Sequence, residues 1–322
     1  MVNLTRLKTR LAPSQRPTAT AAFVVPSFVF EIQPDFVAGA KLDASSRRVK
    51  RMGAAGLEPN SLVAHPSRPN VSNAAALRQG IRAVREAVGN GEGRTGLLVS
   101  DGVVRVAVLP FESVPGSHAE LDSLVRWRMK ENLPFPPEEA RLTYQISKGG
   151  PAGSEALVLA AKSSVLSEYE AALEGPPSRL ILPATAALLP LLPQQKSTAQ
   201  LLVNVCSGWI TSVVVWENRV TFWRTREMLE TELQDQFRVV ATETARVVAS
   251  VRDHLQVELP QVWVCVRPPV AEELVSEVAR AVGQEVRLLL PAPETAASLP
   301  ASERITFQRL GTALAGLLMN SG

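Results

Sequence analysis

Few side chains in this 322-residue sequence could do chemistry on their own, and their spacing narrows the field further. The histidines are His65, His118 and His254 and the cysteines are Cys206 and Cys265. None stands at metal-ligand spacing from another, there is no CxxC pair, and both cysteines sit inside apolar runs. A zinc centre or a disulfide framework is therefore not expected, and a reducing compartment is the default. His118 falls in a predicted helix cap, a solvated place rather than a catalytic one. Glu138 and Glu139 are adjacent carboxylates, the raw material of acid–base catalysis, but they follow Pro136 and Pro137 in a loop, where such pairs ordinarily solvate a turn. GNGEGRTG (Gly89 to Gly96) has the composition of a phosphate loop. It joins a predicted helix to a predicted strand, whereas a phosphate cradle opens a helix, so it reads as a linker. No nucleophile elbow, zinc-protease, Walker or dinucleotide fingerprint occurs.

The elements that would position such groups are more legible. A hydrophobic content of 46% is ample for the cores of about two domains. Lys and Arg number 34 against 31 Asp and Glu, a near balance that does not suit a nucleic-acid partner. Arg6, Lys8, Arg10 and Arg16 precede the apolar ATAAFVVPSFVF, as in a secretory leader. Pro26 interrupts that run, however, and Gln33, Pro34 and Asp35 intrude before the small residues Ala38, Gly39 and Ala40, so 1–22 reads as a basic disordered tail. LILPATAALLPLLP is short and broken by prolines; no membrane span is expected.

From Phe23 the pattern predicts three short strands, FVVPSFVFEI, FVAGAKLD and RRVKRMGAAGL, then a helix over Asn73 to Val88 and a strand TGLLVS. From Leu201 the same order returns. LLVNV, ITSVVVW and RVTFWRT are strand-like, with Glu217 and Asn218 at a tight turn, followed by an amphipathic stretch from Glu227 to Leu255, the strand VWVCV, a helix near Ala271 to Val282 and the strand EVRLLL. This order predicts an α/β duplication, 23–195 and 196–322, with a cleft between the halves.

Inside the first half an insert of about 104–173 adds the strands LTYQIS and EALVLAA and two helices. Ser117 to Glu120 fits a capping box and Pro134 ends the first of these helices. At roughly 100° per residue, Leu121, Leu124, Val125 and Met129 share a face, with Trp127 on its flank and Arg128 within it. Arg128 must then snorkel, pair with Glu131 or Glu120, or meet an acidic partner. The second helix, SSVLSEYEAAL, stops at Gly175, Pro176 and Pro177.

The most distinctive stretch is VRWRMKENLPFPPEEARLTYQI, Val125 to Ile146. It resembles the insert subdomain of the type IV pilus assembly PilM family in its Arg-Trp pair, acidic helix end, Pro-Phe-Pro and aromatic-bearing strand, and the resemblance extends more weakly over about Phe23 to Leu290. The resemblance implies an actin-like α/β fold of the sugar kinase/Hsp70 type: duplicated βββαβα lobes around a nucleotide cleft, with a small α+β insert in the first lobe as in FtsA. It implies a cytoplasmic protein, peripheral to the inner membrane, that binds the cytoplasmic tail of a PilN-like bitopic membrane protein in the pilus assembly platform, with homo-oligomers left open. Arg126, Trp127, Arg128 and Phe135 are the expected partner-binding residues, and VVRVAVL is an edge strand that could accept the tail by strand addition. Packing of Trp127 and Phe135 within the insert is the competing reading. The related type II secretion protein GspL continues into a membrane span, whereas this chain stops at Gly322 without one, which favours the PilM arrangement.

In that fold, two hairpin turns hold ATP phosphates, each with Asp-X-Gly followed by small hydroxyls. Glycine lets the backbone approach, amides donate to the phosphates and the aspartate helps hold Mg²⁺. Here the first turn is EIQPDF: Glu31 replaces the aspartate, Gln33 the glycine, and Pro34 removes an amide donor, leaving Asp35 as a stand-in carboxylate. The second is NVCSGWIT, where Asn204 replaces the acid, Cys206 the glycine, and Ser207, Gly208 and Thr211 keep small donors. The glycine pair that admits adenosine is replaced by Arg267, Pro268 and Pro269. The expectation is a degenerate nucleotide site with no cofactor and a non-catalytic adaptor. The alternative is an ATPase or sugar-kinase-like phosphotransferase that binds ATP and Mg²⁺ in a rearranged cleft through Asp35, Ser207, Gly208 and Thr211.

Overall fold

A computed structural model describes residues 24–89, 94–149, 153–174, 178, 180–195, 197–267 and 271–320. The tail expected over 1–22, most of the glycine-rich linker, the helix stop at 175–177 and the prolines at 268 and 269 lie outside the described residues.

The first half begins with β1 (Phe28–Ile32), β2 (Phe36–Asp43) and β3 (Arg48–Gly56), a meander of antiparallel neighbours. Helix α1 (Ala74–Val88) follows, its first turn capped by the Asn73 side chain, which accepts from the Ala76 amide at 3.1 Å. Leu77, Ile81, Val84 and Val88 form its buried stripe. β4 (Thr95–Val99) then returns parallel to β1, which is buried along its whole length as a central strand should be.

The insert interrupts the lobe with β5 (Arg105–Phe111), α2 (His118–Met129), β6 (Ala140–Lys148), β7 (Ser154–Lys162) and α3 (Ser163–Ala172). Ser117 caps α2 through the Glu120 amide at 3.5 Å, and a short 3-10 turn over Lys130–Asn132 brings the chain to Pro134. The insert sheet has the order β5-β7-β6. Leu121, Val125 and Met129 of α2 pack on one of its faces with Phe135, while Leu157, Leu159 and Ala161 of β7 join α3 and the main core. β8 (Leu180–Pro183) and α4 (Ala184–Leu188) complete the first sheet, in the order β3-β2-β1-β4-β8.

The second half repeats the plan. β9 (Gln200–Cys206), β10 (Trp209–Trp216) and β11 (Arg219–Glu227) form the antiparallel meander, α5 (Leu233–Leu255) follows, β12 (Gln261–Arg267) runs parallel to β9, and after α6 (Ala271–Val282) β13 (Val286–Leu288) gives the order β11-β10-β9-β12-β13. Glu217 and Asn218 take left-handed φ of 51° and 59° at the β10–β11 turn, as the sequence predicts for a tight hairpin. The two five-stranded sheets therefore share one strand order and one sense of pairing, the duplication expected of the actin-like fold.

The remaining segment corrects the 196–322 division. Helices α7 (Ala301–Leu310) and α8 (Thr312–Gly316) pack on the first half, not the second. Glu303 of α7 accepts from the Met52 amide at 2.8 Å and from Arg51 Nε at 2.9 Å, and α8 lies so close to α4 that a side chain at Gly316 would strike the Ala187 carbonyl. Ala313, Leu314, Leu317 and Leu318 supply the apolar surface that draws this segment into the first core. Among the described residues no helix is long and apolar enough to cross a membrane.

Candidate functional site

The candidate residues fall at two places, the cleft between the lobes and the insert, whose seam with the first lobe holds a pocket. At the cleft mouth the β1–β2 turn, Gln33 to Asp35, faces the β9–β10 turn, where Ser207 and Gly208 take left-handed φ of 48° and 79°. The tips touch: Ser207 Oγ donates to Asp35 Oδ1. The Gly208 carbonyl accepts from the amide of Met228, the residue after β11, at 2.7 Å.

Deeper in, Arg267 at the end of β12 reaches Glu31 on β1, donating from Nη1 to Oε1 and, at 2.5 Å, to Oε2; the two side chains are 1% and 0% exposed. Gln33 Nε2 adds a bond to Glu31 Oε1 at 2.8 Å. Burial pushes the Glu31 carboxyl above its ordinary range, against the pull of Arg267 and Gln33. Burial likewise disfavours the charged guanidinium, but Glu31 together with Cys206 and Cys265 more than offsets this, and the net shift of Arg267 is upward. An arginine does not surrender its proton in a protein, so Arg267 carries its charge here. Cys206 and Cys265 lie beside it as free, buried thiols; burial pushes both up, Cys265 to about 11, so they stay protonated and unreactive.

Behind this pair is a network around Asp101, which follows β4. Its carboxylate accepts from the Thr185 amide at 3.0 Å, from Thr185 Oγ1, from Asn204 Nδ2 at 3.1 Å and from Thr211 Oγ1 at 2.8 Å. The Trp209 ring covers neighbouring Gly102, where any Cβ would collide with it. The structure thus brings Glu31, Asp35, Asn204, Ser207, Gly208 and Thr211 to one interface, as the spacing of the two turns implies, but sets them against protein groups. Sequence reading misses Asp101, Thr185 and the Glu31 partnership of Arg267. The available signal is a charge set within apolar surroundings, as in LLVSDGVV and VWVCVR. Each cleft carboxylate already accepts a hydrogen bond from a protein group. Among the described residues no group of three His, Cys, Asp or Glu side chains could hold a metal ion.

The seam is different in kind. Val104, Leu142, Leu159, Leu166, Ile181 and Pro183 line an apolar pocket of about 50 Å³, with Arg141 and Thr143 as its polar members. Arg141 is held by Glu170 at 2.5 Å and by Ser167 Oγ at 3.1 Å. The strand bordering the pocket, β6, pairs with β7 and is an outer strand of the insert sheet. VVRVAVL, the edge expected to receive a tail, instead lies beside β11, where Arg219 meets Glu155 at 2.7 Å.

The four expected partner residues do not line this pocket. Trp127 is 70% exposed on α2, whereas Phe135 is buried in the insert core. Arg126 pairs with Asp122 one turn back on α2 at 3.1 Å and ties the helix to the carbonyls of Pro137 and Ala140 at 3.0 and 3.1 Å. Arg128 takes neither expected acid: it lies over the Phe111 ring, 4.8 Å from the centroid, and donates to the Pro110 carbonyl.

No protein-family model and no curated protein matches the chain. Among solved structures it is similar to a PilM–PilN type IV pilus biogenesis complex, with a TM-score of 0.73 at 16% identity over 92% of this chain and 97% of that one. More distant are a Bacteroides thetaiotaomicron protein with an actin-like ATPase fold (TM-score 0.48, 10% identity, 82% and 90% covered) and the cytoplasmic domain of EpsL, an inner-membrane component of the Vibrio cholerae type II secretion system (0.47, 12%, 90% and 94%). The fold is actin-like and of the PilM type.

Proposed function

We propose that the chain is a non-catalytic actin-like adaptor of a type IV pilus, or related secretion, inner-membrane assembly platform, and that it binds the cytoplasmic tail of a PilN-like bitopic membrane protein. The observation that carries this reading is the contrast at the two candidate sites: the cleft's acids and hydroxyls are turned on one another, while an apolar pocket lies beside β6, an outer strand of the insert sheet. An extended tail would add to that strand by main-chain hydrogen bonds and seat one apolar side chain in the pocket, which supplies specificity. The protein would then be cytoplasmic and reach the inner membrane through its partner.

Copurification of the full chain with the cytoplasmic segment of a PilN-like protein from the same genome tests it. Capture should be lost in Thr143→Trp, which fills the pocket, and kept in Trp127→Ala. Calorimetry with Mg-ATP tests the competing phosphotransferase reading; tight, magnesium-dependent binding would overturn the nucleotide-free adaptor.

A further inference from the structure

We propose that the two lobes are held permanently shut by the chain's own side chains, with the Arg267–Glu31 pair occupying the place of a metal-nucleotide and fixing the closed register. The inference rests on cleft geometry and stands or falls independently of the pilus reading.

Three polar rungs cross the cleft from mouth to floor: Asp35 to Ser207, Glu31 to Arg267, and Asp101 to Asn204 and Thr211. They join the β1–β2 turn, β1 and the end of β4 to the β9–β10 turn, β12, β9 and β10. The floor beneath is apolar and continuous. Leu202, Cys206, Val213 and Cys265 of the second sheet belong to the same buried core as Ile32 and Leu98 of the first.

The division of labour follows from magnitudes. A buried ion pair roughly breaks even, because the desolvation of both charges offsets their attraction, and Arg267 Nε and Nη2 are buried without a hydrogen-bond partner among the described residues. Apolar burial therefore supplies the closing energy. The rungs supply register, since any sliding of one lobe on the other would strand a charge or a carboxylate in that apolar floor. In a nucleotide-gated relative of this fold a ligand bridges the two turns; here the bridge is covalently part of the chain, so closure needs no ligand and has no off state set by one.

The test uses the chain's only two cysteines as reporters, since both lie on the cleft floor beside Arg267. Thiol labelling of the full-length protein is followed with a disulfide reagent, with and without Mg-ATP and over a range of low urea concentrations, and circular dichroism monitors the fold. Wild-type thiols should label slowly and at a rate that Mg-ATP leaves unchanged. In folded Arg267→Met they should label at least about tenfold faster, with a weaker urea dependence than global unfolding has. Glu31→Met/Arg267→Met, which replaces both charges, should return labelling to the wild-type rate. Should Arg267→Met not fold, Asp35→Ala/Ser207→Ala removes the mouth rung alone and should speed Cys206 labelling about threefold. Wild-type thiols that label as fast as those of Arg267→Met, a rate that shifts with Mg-ATP, a folded Arg267→Met or Asp35→Ala/Ser207→Ala protein that labels at the wild-type rate, or a double-charge variant that labels as fast as Arg267→Met would each overturn the inference.

Discussion

The cleft and the seam lie in one molecule and invert each other's chemistry. The cleft holds the residue types that suggest a reaction, carboxylates, hydroxyls and a guanidinium, yet its carboxylates accept from neighbouring protein groups, while the Arg267 Nε and Nη2 atoms of that guanidinium find no partner among the described residues. The seam holds almost nothing reactive, yet it has an apolar pocket beside an outer strand of the insert sheet. A site is thus marked less by which groups are present than by how they are engaged. Because one fold can host many functions, that distinction carries more functional information than the architecture does.

The comparison can be broken first at its strongest point. Arg267→Met leaves Glu31 buried and unpaired, so urea denaturation should show a loss of about 3–5 kcal/mol. A loss below about 1 kcal/mol would mean that water reaches the cleft and that the contrast with the seam is false. Asp101→Ala should follow at about 2–3 kcal/mol, because Thr185, Asn204 and Thr211 lose a common charged acceptor. At the seam the balance should reverse: Thr143→Trp should change stability by less than about 1 kcal/mol while abolishing capture of the tail segment. Within the insert, Phe135→Ala should cost about 3 kcal/mol as a core truncation, and Trp127→Ala no more than about 0.5 kcal/mol as an exposed one, both read by denaturant midpoints.

The finest test is a titration beside α3. Burial, with Arg68 and Arg105, holds His65 below its ordinary pKa, and its Nδ1 accepts from the amides of Ser67 and Arg68 at 3.1 Å each. A depressed folded pKa means that the neutral ring's contribution is fully present above the unfolded value of 6.5 and is lost as pH falls through the folded value. The ring resonances should therefore titrate below 6.5, and the His65 to Arg68 turn should loosen only in that acid range. A midpoint at or above 6.5 would contradict the packing described for this turn.

The second sheet's strands, all of the first sheet's but β8, the α1 helix and the Glu217–Asn218 turn were legible because each is written in local periodicity and local turn chemistry. The two turns facing the cleft were legible for the same reason. Their partners were not. Glu31 finds Arg267 across 236 positions and Asp101 finds Thr211 across 110, and nothing in spacing records which charge will meet which once two sheets close face to face. Arg128 escaped for a subtler reason: stacking on Phe111 competes with any nearby acid, and only the packing of α2 on β5 decides between them. The placement of α7 and α8 was hidden because their apolar residues would suit either core.

That last placement has a consequence for the order in which the protein can be made. Ribosomes release the first sheet's strands long before 301–318, yet the first core includes Phe307, Leu314, Leu317 and Leu318 and is incomplete without them. The second sheet with α5 and α6 is one continuous stretch of chain and can close as soon as it emerges. Synthesis order and folding order are therefore reversed: the lobe translated first is the lobe finished last, and until then its unfilled groove beside α4 is a surface for a chaperone to shield.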